Sequence, residues 1–252
     1  MNYFCRMFLS VENICDLPVE KLPFSMFGLC LQEPMAMVTN LIISITALII
    51  YLKFKPVQND FQKHWKLFFL TFGISTFFAG FGHVFFNYTE VYGKFPTWIL
   101  GTFAAYHAGK AMISLNVMKE SLKRKLLFVL YFKAVTLLIL ALFLKSFVFI
   151  MVDAVATYLF FCMGLGIYYW RKGLKSFKYT VIAVMVLFPS IFIFTLKFNP
   201  HIWFNKDDLS HILMAATIIF FYFGVVKLNQ FDLDKLVSLK DLNYVKKQSR
   251  KH

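Results

Sequence analysis

The sequence predicts an all-α, polytopic membrane protein with seven transmembrane helices, its N-terminus outside and its C-terminus inside. Three observations carry this reading. Of the 252 residues, 59% are hydrophobic and 16% charged, whereas a soluble domain is nearer half apolar and about a quarter charged. Apolar runs recur at close to the ~20 residues that cross the hydrocarbon of a bilayer. Basic residues also alternate between loops. Those after the first, third and fifth spans hold Lys53, Lys55, Lys63, Lys66, Lys119, Lys123, Arg124, Lys125, Arg171, Lys172, Lys175 and Lys178. Those after the second, fourth and sixth hold Lys94, Lys145, Lys197 and Lys206. The richer side faces the cytoplasm. The tryptophans suit the same orientation, with Trp65 and Trp170 at the inner interface and Trp98 and Trp203 at the outer one. The net charge of +14 thus belongs to loops that flank spans and meet anionic lipid, and nucleic acid is not an expected partner.

Residues 1–33 read as an extracytoplasmic lead with Pro18 and Pro23 and a candidate surface helix. Its first apolar piece, MNYFCRMFL, is short and soon followed by Glu12 and Asp16, a poor pattern for a cleavable signal. Cys5, Cys15 and Cys30 lie here, an odd number whose pairing spacing cannot assign, and Cys162 lies in a later span. The transmembrane domain covers 34–228, with spans at about 34–54, 66–87, 96–118, 125–144, 147–170, 177–196 and 207–227, and residues 229–252 form a basic cytoplasmic tail. Between the fourth and fifth spans only Lys145 and Ser146 intervene, which requires a tight helical hairpin. Asn87-Tyr88-Thr89 fits a glycosylation sequon but sits hard against the membrane, and is read as chance. The expected location is a plasma membrane or a bacterial inner membrane.

Asn205–Gly224 begins with two carboxylates and a histidine and then runs apolar. Asp207 and Asp208 precede His211 by four and three residues, so all three share one helical face. His83 lies about four residues, roughly 6 Å, inside the outer end of the second span, the same depth as His211 in the seventh. Glu33 and Asn40 flank the outer start of the first span. Ionisable side chains at a membrane helix are costly and mark sites that bind or react. Two imidazoles and a carboxylate at one depth suit zinc with an open position for water; equally, each histidine can bond a neighbour and Asp207 or Asp208 can cap its helix.

Three short pieces carry a resemblance. EPMAMVTN places Asn40 seven residues after Glu33 and directly after Thr39, AGFGHVF ends a glycine-rich turn on His83, and DDLSH ends on His211. These resemble the first-, second- and seventh-helix motifs of the alkaline ceramidases, which belong with the adiponectin-receptor group to a superfamily of seven-helix membrane hydrolases (CREST-like). The resemblance implies a zinc site, here His83, His211 and Asp207, with Asp208 as the alternative to Asp207. It also implies a supporting role for Glu33 and Asn40, in the manner of a second cation such as calcium. The chain departs from the pattern at Asp207, where the family has a histidine, at Ala79, where it has a serine, and at Lys94, where it has an aspartate. It therefore resembles a divergent relative whose substrate is unassigned.

Two more polar positions lie within spans. Asp153 and Lys133 face each other across the tight hairpin, offset by about 7 Å along the axis, a reach that a lysine covers. An ion pair is expected, and the alternative makes Asp153 the catalytic proton acceptor. His107 lies near the bilayer middle, about 12 Å deeper than the outer histidines, with Lys110 snorkelling inward. Two functions follow as expectations: a metal-dependent hydrolase of a lipid amide or ester from the outer leaflet, or a lipid- or ligand-binding or transport protein that kept the fold without the chemistry. A haem held by facing histidines is a third.

Overall fold

A computed structural model describes residues 23–54, 57, 59–115 and 118–228. Cys5, Cys15 and the basic tail lie outside the described residues. Among the described residues, seven long helices follow a short hairpin: α1 (Pro34–Lys53), α2 (Asp60–Val84), α3 (Phe95–Ser114), α4 (Glu120–Leu144), α5 (Val148–Arg171), α6 (Phe177–Thr195) and α7 (Lys206–Val226). All except α3 are long and apolar enough to cross a membrane, so the protein is an all-α, multi-pass membrane protein. α3 is of similar length but is diluted by Pro96, Gly101, His107, Gly109 and Lys110.

The helices start and stop for local reasons. Pro34 opens α1, where its missing N–H costs nothing. Asn59 caps α2 by accepting from the Gln62 N–H at 2.9 Å, which explains why α2 begins well before the apolar run at 66. Its entry turns are polar and are helical because of the cap. Lys145 takes a left-handed conformation (φ 51°) to end α4, and the chain turns directly into α5. α5 contains a π-helical stretch, Thr157–Gly164, and α6 is divided at Pro189, which cannot donate into the preceding turn.

Each helix packs on its chain neighbour, and α7 returns to pack on both α6 and α1, closing a ring. α2 lies between α1 and α3, and α5 also packs on α3. Gly80 permits the close approach of α1 and α2, since a Cβ there would stand 2.8 Å from Met37 Sδ. The main core sits toward the end bearing the basic loops, where Phe61, Trp65, Phe68, Phe69, Phe177 and Phe221 interlock. Trp65 and Trp98 are buried and so are core residues, not interfacial anchors. Trp170 and Trp203 face outward as the belt pattern requires.

Of the lead at 1–33, where a surface helix was a candidate, residues 1–22 lie outside the described residues, and 23–32 form a β-hairpin, Pro23–Met26 pairing antiparallel with Leu29–Gln32. Phe27 and Gly28 both have positive φ (53° and 74°), the primed turn that matches strand twist.

The expected ion pair between α4 and α5 is present. Lys133 Nζ donates to the Asp153 carboxylate, to the Asp153 carbonyl at 3.0 Å and to Thr157 Oγ1 at 2.8 Å, and Asp153 is 1% exposed. All three ammonium hydrogens thus have acceptors, which is what a buried charge needs. Lys133→Met should destabilise the purified protein by about 3–5 kcal/mol, and Lys133→Met with Asp153→Asn should recover much of that loss. Thermal unfolding in one detergent compares the single and double variants.

Candidate functional site

Glu33 joins the hairpin to α1. It caps the helix in a left-handed conformation (φ 55°, ψ 58°), a strained setting for a residue with a side chain, and its side chain is 4% exposed. Its carboxylate reaches two other helices. His83 Nδ1, in the last turn of α2, donates to Oε2 at 2.7 Å, and Asn205 Nδ2, the cap of α7, donates to Oε1 at 3.2 Å. The pair leaves His83 with Nε2 directed away from the carboxylate, on a side chain that is 16% exposed.

The second histidine is held from α1. His211 Nδ1 lies 2.8 Å from Thr39 Oγ1, which is also 3.3 Å from Asp208 Oδ1 and 2.9 Å from the Met35 carbonyl. A hydroxyl has one hydrogen and accepts with its lone pairs. With several oxygens around it to receive that hydrogen, the network assigns the donor role to His211 Nδ1. Asn40 Nδ2 donates to the Ala36 carbonyl at 2.8 Å and stands 3.5 Å from both ring nitrogens of His211. The two imidazoles meet edge to face with centroids 6.3 Å apart.

The α7 cap divides the two aspartates. Asn205 accepts from the N–H groups of Asp207 (2.7 Å) and Asp208 (3.4 Å), while Asp208 Oδ2 accepts from the Asn205 N–H at 2.9 Å, a reciprocal capping box. Asp208 therefore spends one oxygen on the cap and turns the other toward Thr39 and His211. Asp207 Oδ1 accepts from Lys206 Nζ at 3.0 Å. Of the two carboxylates, Asp208 is the one that shares a hydroxyl with His211, although the four-residue spacing had favoured Asp207.

Sequence spacing singled out Glu33, Asn40, His83, Asp207, Asp208 and His211, and all of them lie at one end of the bundle. It did not assign roles to Thr39 or Asn205. The signal for Asn205 was present in the Asn-x-x-Asp capping pattern; that for Thr39 was its place directly before Asn40. Asp153 is bound to Lys133 between α4 and α5, whereas the cluster is built from α1, α2 and α7. Ser75 donates to the Thr97 carbonyl at 2.9 Å and Lys94 Nζ lies 4.8 Å above the Phe86 ring.

Both imidazoles carry the outer partner that metal-bound histidines usually have, a carboxylate or hydroxyl on the second nitrogen. Among the described residues, however, no group of three or more His, Cys, Asp and Glu side chains could hold a metal ion. Catalytic zinc takes three protein ligands, so the donors as placed fall short of that set. The two imidazoles are each oriented through Nδ1, one by Glu33 directly and one by Asp208 through Thr39.

Between α5, α6 and α7 runs an apolar groove of about 190 Å³, with Ile150, Ala154, Tyr158, Phe188, Ser210 and Met214 among its lining. Ser210 lies between Asp208 and His211 in the sequence, so α7 is a wall common to groove and cluster.

The hairpin is fastened over this end by Asn87. Its Nδ2 donates to the Cys30 carbonyl at 3.0 Å, its Oδ1 accepts from Gln32 Nε2 at 2.8 Å, and the Tyr88 hydroxyl accepts from the Cys30 N–H at 2.9 Å. The sequon asparagine is thereby committed, and a glycan on it would break the latch. Asn87→Ala should cost about 1–3 kcal/mol through the groups left unpaired. It should also raise the maleimide reactivity of Cys30, buried in the native protein, as read by peptide mapping.

The profile of a family described as being of unknown function (DUF6962) matches residues 35–230, and the chain belongs to that family. No curated protein and no solved structure gives a match.

Proposed function

We propose that this DUF6962 protein is a seven-helix hydrolase of a lipid amide or ester, with its N-terminus outside, its C-terminus inside and its reactive side chains at the outer leaflet. The observation that carries the reading is the Glu33–His83 hydrogen bond of 2.7 Å beside His211. A carboxylate bonded to Nδ1–H holds a histidine in one tautomer and orientation and steadies the imidazolium that forms. His83 Nε2 takes a proton from water as the oxygen attacks the lipid carbonyl, and Glu33 balances the resulting charge. The Asn40 amide donates to the carbonyl oxygen, and His211, steadied by Thr39 and Asp208, accepts from the attacking water through its bare Nε2. His83 returns its proton to the departing nitrogen or oxygen as the C–N or C–O bond breaks. Acid–base assistance of this kind contributes about 10²–10⁴-fold. The groove between α5, α6 and α7 takes an acyl chain, because it is apolar and lies along helices of membrane-crossing length. The basic loops face anionic lipid of the inner leaflet.

The shortfall of protein donors for a metal, together with Ala79 and Lys94, favours a second reading, in which the cluster holds a lipid headgroup by hydrogen bonds without cleaving it. One experiment separates the two. The protein is purified without chelator, reconstituted with a mixed-lipid extract, and assayed for released fatty acid and for bound metal. The hydrolase reading expects release that falls about 100-fold or more in His83→Ala, less steeply in Glu33→Gln, and not in Lys145→Ala. Lipid that co-purifies uncleaved, and is lost in His83→Ala, supports the binding reading. Stoichiometric zinc or calcium, depleted in His83→Ala and His211→Ala, would replace the acid–base route with a metal-assisted one.

Orientation has its own check. A cysteine at Gly173 should be labelled from the cytoplasmic side and one at Asn199 from outside; labelling of both from one side overturns the seven-span arrangement.

A further inference from the structure

At the opposite end of α2 from His83 lies a second pair of histidines, on which the proposed hydrolysis makes no demand. His64, one turn into α2 and 8% exposed, meets His107 of α3 with Nδ1 to Nδ1 at 3.2 Å. The ring centroids are 5.3 Å apart and the planes differ by 20°. A nitrogen fixed in an imidazole lies about 1.1 Å from the ring centroid, so rings that meet head-on across such a gap have centroids about 5.4 Å apart. The observed separation is almost that full extension. Both nitrogens therefore lie near the line joining the centroids, and the rings are close to coplanar and end to end. This is the geometry of an in-plane N–H···N hydrogen bond, not of face-to-face stacking.

That geometry dictates a proton count. Two lone pairs aimed at one another repel, and two N–H groups clash, so one ring carries Nδ1–H and the other presents a bare Nδ1. The neutral pair is thus one Nδ1–H tautomer and one Nε2–H tautomer. A further proton goes to the Nε2 of the donor ring, which makes the bridging bond charge-assisted and stronger. A second further proton has to occupy the accepting Nδ1, which breaks the bridge and leaves two cations in contact.

The surroundings bear on the same count. Lys110 follows His107 by one turn on α3, and Asp60 and Lys63 lie on the first turn of α2. α1 contributes Tyr51 and α7 contributes Tyr222 to the adjoining core. α5 brings Tyr158 and Cys162 into the same core, and its Asp153 is bound to Lys133 of α4; Lys123 of α4 is paired with Glu120. Burial, Lys110 and Lys63 oppose added positive charge, which Asp60 on the same helix as His64 offsets only in part, so the site resists a second proton more strongly than a first.

We infer that His64 and His107 form a single proton-binding site that clasps α2 to α3 and opens only on the second added proton. Since α2 carries His64 near one end and His83 at the other, the clasp holds in place the helix that presents the proposed base.

The test is ¹⁵N spectroscopy on the full chain, labelled at histidine, in detergent micelles between pH 4.5 and 8.5, with His64→Gln and His107→Gln alongside. Wild type should show one Nδ1–H ring and one Nε2–H ring, assigned by the resonance lost in each variant, with a scalar coupling between the two Nδ1 nuclei. The protonation steps of the pair should be separated by more than about one pH unit, and each variant should leave a single-step titration whose midpoint is displaced from both. The coupling is read on wild type alone, so it decides the matter even if a variant fails to fold. Two rings in the same tautomer without the coupling, or midpoints unmoved by removal of the partner, overturn the inference.

Discussion

Burying the Glu33 carboxylate ties three helices together. A buried charge must find partners or it costs several kcal/mol, and Glu33 finds them on α2 through His83 and on α7 through Asn205. The contact to Asn205 requires α7 to have come back beside α1, so the ring has to close before both carboxylate oxygens are satisfied. The left-handed backbone at Glu33 is held against its intrinsic cost by the same contacts. The meeting of three helix ends and the orientation of His83 follow from this one residue.

The rest of the bundle divides its labour by height. Toward the basic loops the helices interlock through aromatic rings, with few polar atoms to satisfy. Toward the other end the ring is filled with carboxylates, imidazoles and amides, each with a named partner. In a membrane apolar side chains gain little by leaving lipid for one another, so polar contacts between helices and close packing carry more of the specificity. Lys133–Asp153 and His64–His107 serve the same end, each joining two neighbouring helices at a fixed register.

The polar cluster differs from a metal centre in what its side chains are already doing. Asp208 gives one oxygen to the α7 cap, Asp207 accepts from Lys206, and Glu33 accepts from His83 and Asn205. What remains is two oriented imidazoles beside an amide and a hydroxyl, under a latched hairpin and near an apolar groove. Such a set suits proton transfer to and from a bound lipid, and it also suits recognition of a polar headgroup; the chemistry of the lipid distinguishes the two.

The sequence by itself determined the helical class and the positions of six spans, and it singled out Glu33, Asn40, His83, Asp207, Asp208 and His211, which the fold brings to one end of the bundle. Hydrophobic run length and rise per residue are local quantities, and they suffice for that. The Lys133–Asp153 pair was legible for the same reason, since a two-residue turn fixes the register across the hairpin. Other features depended on contacts between distant segments. Which aspartate turns toward His211 was decided by the capping box and by Thr39 on α1, 169 residues away from Asp208. Trp65 and Trp98 looked interfacial by position, and were claimed by the core because ring packing, not depth, sets their facing. The hairpin at 23–32 gave no helical or strand period long enough to read, and it exists because Asn87 and Tyr88 offer its backbone partners. His64 stood in a polar stretch read as loop, and only the packing of α2 on α3 set it end to end with His107.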